Sequence, residues 1–352
     1  MHRRQVLTGM AIATATAGFV THTSAAQTPQ SPGTSSLVKP PRLKPGDTVG
    51  IISPAGATYQ PEDLAIVEEA VRGLELIPKT APHALDRYGY LAGSDVDRAA
   101  DINAFFADPE IAALLPIRGD WGSARVLPYL DYEIIRQHPK IIIGFSDITA
   151  LLLGIYAQTG LITFHGPHGL TAWDSAQVQP FREILFDGAA PTIQNPVLGD
   201  NQNRLMQVRG RIQTLTPGNA TGTLIGGNLS VISGIVGSPY MPNMNGAILF
   251  LEDVGERPYR IDRMLTQLKL AGVLDQLAGF IFGQCTACNP GSDYGSLTLD
   301  EILHDHIQPL GIPAWSGAWI GHVEPLLTVP IGVEVAIDST NGTIQLLAPA
   351  VI

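Results

Sequence analysis

Two nucleotide-binding signatures are missing from this sequence. No Gly-x-Gly-x-x-Gly follows its first strand-like segment, and no Walker A loop is present, which removes the usual phosphate cradles. Basic residues are scarce: 21 Lys and Arg stand against 32 Asp and Glu, the net charge is −11, and no long basic run occurs. Nucleic acid binding rests on neutralising phosphates, so it is excluded as a partner. Cysteine is nearly absent. Cys285 and Cys288 are the only two, and one CxxC supplies just two of the four ligands of a structural zinc site. The pair follows a strand-like segment at 278–283 and precedes the turn Asn289-Pro290-Gly291, whereas a redox CxxC belongs at a helix start. It reads as a structural or incidental loop pair, open to a disulfide in an oxidising compartment. The apolar run near the N-terminus covers only residues 6–20, too short for a membrane span.

That run has other company. Arg3 and Arg4 precede it, and the small residues Thr23-Ser24-Ala25-Ala26 follow it. Residues 1–26 read as an export signal of the twin-arginine type. The mature chain is then expected in the periplasm, without a membrane span. Residues 27–41, rich in Pro, Ser, Gln and Thr, read as a flexible leader. The whole chain of 352 residues is 45% hydrophobic, enough for a sizeable core and for two domains.

From residue 42 onward, strand-like and helix-like segments alternate. Residues 48–52, 75–78, 111–117, 141–143 and 161–164 have strand character. Residues 62–74, 95–107, 123–130 and 148–158 have helical character. This alternation implies an α/β fold, with an N-terminal doubly wound parallel-sheet domain at 42–170. Its ligands would bind outside the carboxyl ends of the strands, at the loops 53–56, 118–122, 146–147 and 165–167. Residues 171–207, with Pro180, Pro191 and Pro196, read as a linker. Residues 208–352 form a smaller mixed α/β domain of short strands, with helices at 260–270 and 299–309.

Residues 140–160 attract attention first. Ile141-Ile142-Ile143 make a buried strand. Gly144-Phe145-Ser146-Asp147 then turn into a helix. A serine there can be a nucleophile on a sharp elbow, with helix-start N–H groups to hold an oxyanion, or it can simply cap the helix. A nucleophile needs a base and a group to orient it. His83 and His138 lie in polar connections. His304 and His306 sit on a helix at a spacing that does not bring both rings to one face, so a solvated face is expected there. His165 and His168 border the loop after the strand at 161–164. His322 follows an apolar segment broken at Gly321 and is either a cleft or a core residue. Glu252 ends a strand on the same face as Ile248 and Phe250. It must be paired there, either with Arg257, Arg260 or Arg263, or with a histidine.

Taken together, several motifs resemble the LD-carboxypeptidase family of serine peptidases, which includes murein tetrapeptide carboxypeptidases and microcin C self-immunity proteins. They are Gly144-Phe145-Ser146-Asp147-Ile148-Thr149, Leu251-Glu252-Asp253-Val254-Gly255-Glu256 with Tyr259-Arg260-Ile261-Asp262-Arg263, and Gly321-His322 with Pro330-Ile331-Gly332. Gly46-Asp47, Ser53-Pro54, Arg118-Gly119, His165-Gly166-Pro167 and Gly226-Gly227-Asn228-Leu229 agree as well. The resemblance covers residues 40–347. It implies Ser146 as nucleophile, His322 as general base and Glu252 as its partner, assembled between the two domains. It also implies an oxyanion hole from the Asp147 N–H and one N–H of the 118–122 loop, and substrate contacts from Gly119, Asp120, Trp121, His165 and Trp173. No metal or organic cofactor is required. A homodimer and a small peptide substrate, a murein tetrapeptide losing its terminal D-alanine, are expected. One departure stands out: the family usually has two glycines and an aromatic after the arginine, and here Asp120 replaces the second glycine, followed by Trp121. Two other readings follow from the same residues. One is hydrolysis of an aminoacyl nucleotide, with Trp173 stacked on its base. The other is an exported peptide-binding protein whose oxyanion hole Asp120 has damaged.

Overall fold

β-Branched apolar runs and amphipathic helices alternate through the first half of the chain, as the residue pattern requires. In the computed structural model, which describes residues 37–197, 205–207, 210–289 and 295–352, the elements run β1 (Thr48–Ile52), α1 (Pro61–Gly73), β2 (Ile77–Thr80), α2 (Asp95–Ala107), β3 (Ile111–Pro116), α3 (Tyr132–Gln137), β4 (Ile141–Gly144), α4 (Thr149–Thr159) and β5 (Thr163–His165). All of β4 is buried, as expected of a strand covered on both faces. Helix α1 begins with Pro61 and carries Glu62 and Asp63 in its first turn, which suits the fixed φ and the dipole of a helix start. The Ser94 side chain caps α2 by accepting from the Asp97 N–H at 3.1 Å.

The remaining elements are α5 (Ser175–Leu185), β6 (Thr192–Ile193), β7 (Gln213–Thr216), β8 (Asn219–Asn228), α6 (Leu229–Ile235), β9 (Ile248–Val254), α7 (Pro258–Leu270), β10 (Gly279–Thr286), α8 (Leu299–His306), β11 (Ala314–Ser316), β12 (Val329–Ile331), β13 (Glu334–Asp338) and β14 (Thr343–Leu346). The first sheet has the order β12-β5-β4-β3-β1-β2, and the second β6-β14-β13-β8-β9-β10-β11-β7. Strands β1 to β5 pair in parallel, and β8 to β11 form a second parallel core. The flanks of the second sheet are antiparallel. The architecture is therefore α/β, a parallel sheet followed by a mixed sheet of mostly short strands.

Three features differ from the sequence expectation. The stretch 171–207 contains helix α5 despite Pro180. The Asp174 carboxylate caps it through the Gln177 N–H at 2.9 Å, and Phe181, Ile184 and Leu185 are buried along it, so packing outweighs the proline. Strand β12, from the C-terminal half, pairs antiparallel with β5 and completes the first sheet. Residues 35–352 accordingly cluster as one compact unit. Finally, the end of the expected leader is tied down: the Val38 N–H donates to Gly160 O and Ile162 N–H to Val38 O, each at 2.9 Å. The expected export signal at 1–26 lies outside the described residues. Among the described residues, no helix is long and apolar enough to cross a membrane.

Candidate active site

Ser146 sits where β4 hands over to α4. A short 3-10 turn, Ser146–Ile148, joins them, and Ser146 has φ 61°, a left-handed conformation that costs an L-residue energy and concentrates at functional sites. Its side chain makes no capping bond to either helix. Instead its Oγ lies 3.1 Å from His322 Nε2. His322 Nδ1 lies 2.8 Å from Glu252 Oε2. Glu252 is fully buried on β9, and Arg260 pairs with Glu256 rather than with it. Hydroxyl, imidazole and carboxylate thus form one hydrogen-bonded line across both sheets.

Local packing enforces that line. Gly321 has φ 103°, and a Cβ there would stand 2.4 Å from Glu252 Oε2. Only glycine lets the chain pass close enough to seat His322 on the carboxylate. The two sheets are also stitched beside the serine. The Asn228 N–H, at the end of β8, donates to Thr149 Oγ1 at 3.0 Å, and Asn228 pairs in register with Glu252.

The loop after β3 closes on the serine turn. A Cβ on Gly119 would lie 3.0 Å from Ser146 Cβ and 3.4 Å from the Asp147 nitrogen, so glycine permits this approach. The Asp147 N–H has no hydrogen-bond partner among the described residues, while its carboxylate accepts from the Ser123 N–H at 2.6 Å. Burial holds that carboxyl above the usual aspartate range. Asp120 has φ 88°, which explains why glycine suits this position; aspartate tolerates it better than most residues. Its carboxylate meets the Arg118 guanidinium at 3.1 Å. Buried Arg98 fixes the whole arrangement: its guanidinium donates to Pro54 O and, at 3.0 Å, to Gly122 O, and it pairs with Asp95.

Two cavities adjoin this line. One of about 810 Å³ is lined by His322, Phe145, His168, Gln284, Thr286 and Trp319 among others. The other, of about 270 Å³, is lined by Ser146, Asp120, Trp121, Asn228, Ser230 and Asp253 among others. Of the residues expected to touch substrate, Asp120, Trp121 and Asp147 line the smaller cavity. His165 does not reach either one. It is fully buried, packed edge-on against Phe250 with ring centroids 5.4 Å apart, because its strand is sandwiched inside the sheet. Burial lowers its pKa to about 4. Trp173 also points elsewhere: its indole donates to Gly169 O at 3.1 Å and packs on Phe181. Beside His322, the large cavity is lined by a second histidine, His168, stacked on Phe145 at 4.6 Å, and by Trp319. Trp319 lies 173 positions after Ser146, and no spacing in the sequence marks it.

The cysteines are joined as a disulfide. They bracket Thr286, whose hydroxyl donates to the His322 carbonyl at 2.7 Å. His306 is less exposed than the helix pattern implies and meets Asp262 at 2.6 Å. Among the described residues one group has metal-ligand spacing, His83, Asp86 and Asp97, with ligand atoms within 4.8 Å of one another. His83 and Asp86 there already pair at 2.7 Å.

Profiles of the LD-carboxypeptidase N-terminal and C-terminal domains match residues 49–166 and 221–337. The probable murein peptide carboxypeptidase of Bacillus subtilis is 37% identical over 308 residues, covering 87% of this chain and 93% of that protein. The chain belongs to the LD-carboxypeptidase family. The murein tetrapeptide carboxypeptidase of Pseudomonas aeruginosa is 30% identical, over 78% of this chain and 87% of its own. Among solved structures, the microcin C7 self-immunity protein MccF with aspartyl sulfamoyl adenosine has a TM-score of 0.77 at 30% identity, covering 90% of this chain and 100% of that one. As a member of the LD-carboxypeptidase family, this protein is a hydrolase of the carboxypeptidase type. Ser146 falls within the N-terminal profile, and Glu252 and His322 within the C-terminal one.

Proposed function

We propose that this protein is a serine carboxypeptidase that hydrolyses the L,D amide bond of murein tetrapeptide and releases the terminal D-alanine. The observation that carries the reading is the unbroken Ser146–His322–Glu252 hydrogen-bonded line between two cavities. His322 Nε2 takes the proton of Ser146 as Oγ attacks the scissile carbonyl, and buried Glu252 stabilises the imidazolium that forms. The Asp147 N–H and an N–H of the 118–122 loop receive the oxyanion. His322 then gives its proton to the leaving amine, D-alanine departs, and water attacks the acyl-enzyme by the same relay in reverse. Export by the twin-arginine route would place this reaction in the periplasm.

The test is release of free D-alanine from murein tetrapeptide by purified mature protein. Ser146→Ala is expected to abolish it while still binding the peptide. Release that persists in this variant sinks the assignment of the nucleophile. The likeness to MccF solved with aspartyl sulfamoyl adenosine favours a second reading, hydrolysis of an aminoacyl nucleotide, in which the large cavity would take the nucleotide. Trp173, packed against Phe181, is not the residue to stack on its base. Faster turnover of aspartyl sulfamoyl adenosine than of tetrapeptide would favour this reading.

A further inference from the structure

His322 does not stand on a helix or a strand. It belongs to a loop, residues 317–323, that follows β11. The end of β10 seats this loop. The Ala318 N–H donates to Phe282 O at 3.2 Å, the Gln284 N–H to Ile320 O at 3.1 Å and the Gln284 side-chain amide to Gly317 O at 3.1 Å. A Cβ on Gly283 would stand 2.6 Å from Ile320 O, so the loop lies directly on the strand. The contact furthest along β10 reaches the base itself: the Thr286 hydroxyl donates to the His322 carbonyl at 2.7 Å.

That bond is poorly sheltered. Thr286 is exposed, and β10 shifts its pairing with β9 between Phe282 and Cys285, an irregularity of the kind that re-aims side chains beside active sites. A single exposed hydrogen bond holds little when its chain is free to open. Here the chain is not free. The disulfide between Cys285 and Cys288 closes the turn that contains Thr286. Within that turn the Cys288 N–H donates to Cys285 O at 3.3 Å, and Ala287 has φ 59°, a conformation an alanine keeps only where its surroundings fix it. Closing so short a loop removes little chain entropy from the unfolded state, so the bridge acts locally. The pair stands at no helix start that would favour a thiolate, so it serves as a clamp and not as a redox catalyst.

We infer that Thr286 is a positioning residue for His322 and that the Cys285–Cys288 bridge clamps it there, so that activation of Ser146 falls when the bridge is reduced. The inference rests on the reading of His322 as the base of Ser146. A dithiol supplies the two electrons and two protons: the S–S bond breaks, two cysteine thiols form, and the dithiol closes into a disulfide of its own. Both cysteines are half-buried, which leaves the bridge open to a small thiolate.

Wild-type protein, oxidised or kept in excess dithiothreitol, tests this in two assays. One is D-alanine release from murein tetrapeptide; the other is the rate at which a fluorophosphonate labels Ser146, which needs no substrate. Mass after alkylation reports whether the bridge is open. Reduction is expected to lower kcat and the labelling rate by at least about fivefold, with a smaller change in KM and in Tm, and reoxidation to restore both rates. Thr286→Val, which keeps the shape and loses the hydroxyl, is expected to show the same loss and to respond no further to dithiothreitol, because the two perturbations act through one bond. Thr286→Ser is expected to recover most of that loss. A bridge that only braces the fold would lower Tm and leave the labelling rate and the difference between valine and serine untouched. A bridge that stays closed in excess dithiol, or rates that do not change when it opens, overturns the inference and leaves the carboxypeptidase reading standing. Labelling that slows on reduction, with no D-alanine released in either state, supports the clamp and overturns the murein substrate. No labelling of Ser146 in either state overturns both.

Discussion

Replacing Glu252 by glutamine removes one charge and almost no volume. The carboxylate lies 2.8 Å from His322 Nδ1 and is fully buried. When His322 takes the serine proton, an imidazolium and a carboxylate face each other with charge centres about 4 Å apart. At an effective dielectric near 20 such a pair is worth about 4 kcal/mol, and each 1.36 kcal/mol is tenfold in rate, so kcat should fall by about a thousandfold. A glutamine NH₂ turned toward Nδ1 would also favour the tautomer protonated on Nε2, which cannot accept the serine proton. Glu252 lines neither cavity, so KM should change little. Stability should behave differently. Glu252 Oε1 has no hydrogen-bond partner among the described residues, and relieving an incompletely paired buried charge is neutral or stabilising. Steady-state D-alanine release and calorimetric unfolding of Glu252→Gln together test this. The reasoning fails if kcat stays within about tenfold of wild type, or if the loss of activity is matched by a large fall in Tm.

Three further outcomes follow from the packing around the site. Gly321→Ala places a Cβ 2.4 Å from Glu252 Oε2 at φ 103°; it should displace His322 and cost about a hundredfold or more in kcat/KM, with far-ultraviolet circular dichroism unchanged, and near-normal turnover would refute it. Arg98→Met strips Pro54 O and Gly122 O of their buried donor and should destabilise by about 3 kcal/mol in denaturant titration; a change below about 1 kcal/mol would show that the loops hold themselves. The third concerns acid. His165 has its pKa lowered from 6.5 to about 4, so between these values the unfolded chain binds a proton that the folded chain refuses. Its contribution is complete above pH 6.5 and is lost as pH falls toward 4, by about 2 kcal/mol between pH 7 and pH 5. His165→Leu should flatten the wild-type pH–stability curve over that interval, and parallel curves would contradict the assignment.

Much of this could be read from residues in order. Ile141 to Ile143 announce a buried strand, and the motifs around Ser146, Glu252 and His322 a family, because each signal is local: a period or a short run of side chains. The fate of other residues was not local. The patterns of His165 and His168 are alike, yet one lies sealed beneath Phe145 and Phe250 and the other faces the large cavity, a difference set by which way the chain turns after β5. Trp173 looks like a loop aromatic near a histidine motif, but Phe181 lies on a helix that Pro180 argues against, and the two rings pack together.

The sequence by itself determined the alternation of elements and the parallel first sheet, and its motifs, through their resemblance to a family, pointed to the three residues that stand in the hydrogen-bonded line. Tertiary structure alone decided that Ser146 faces His322 instead of capping α4, because this depends on β8 meeting α4 through Thr149 and on Gly321 passing within contact of Glu252. It alone decided as well that an acidic cavity opens beside the serine. Asp120, Asp253 and Ser230 come from separate elements, and nothing in their spacing along the chain tells that their side chains share one space.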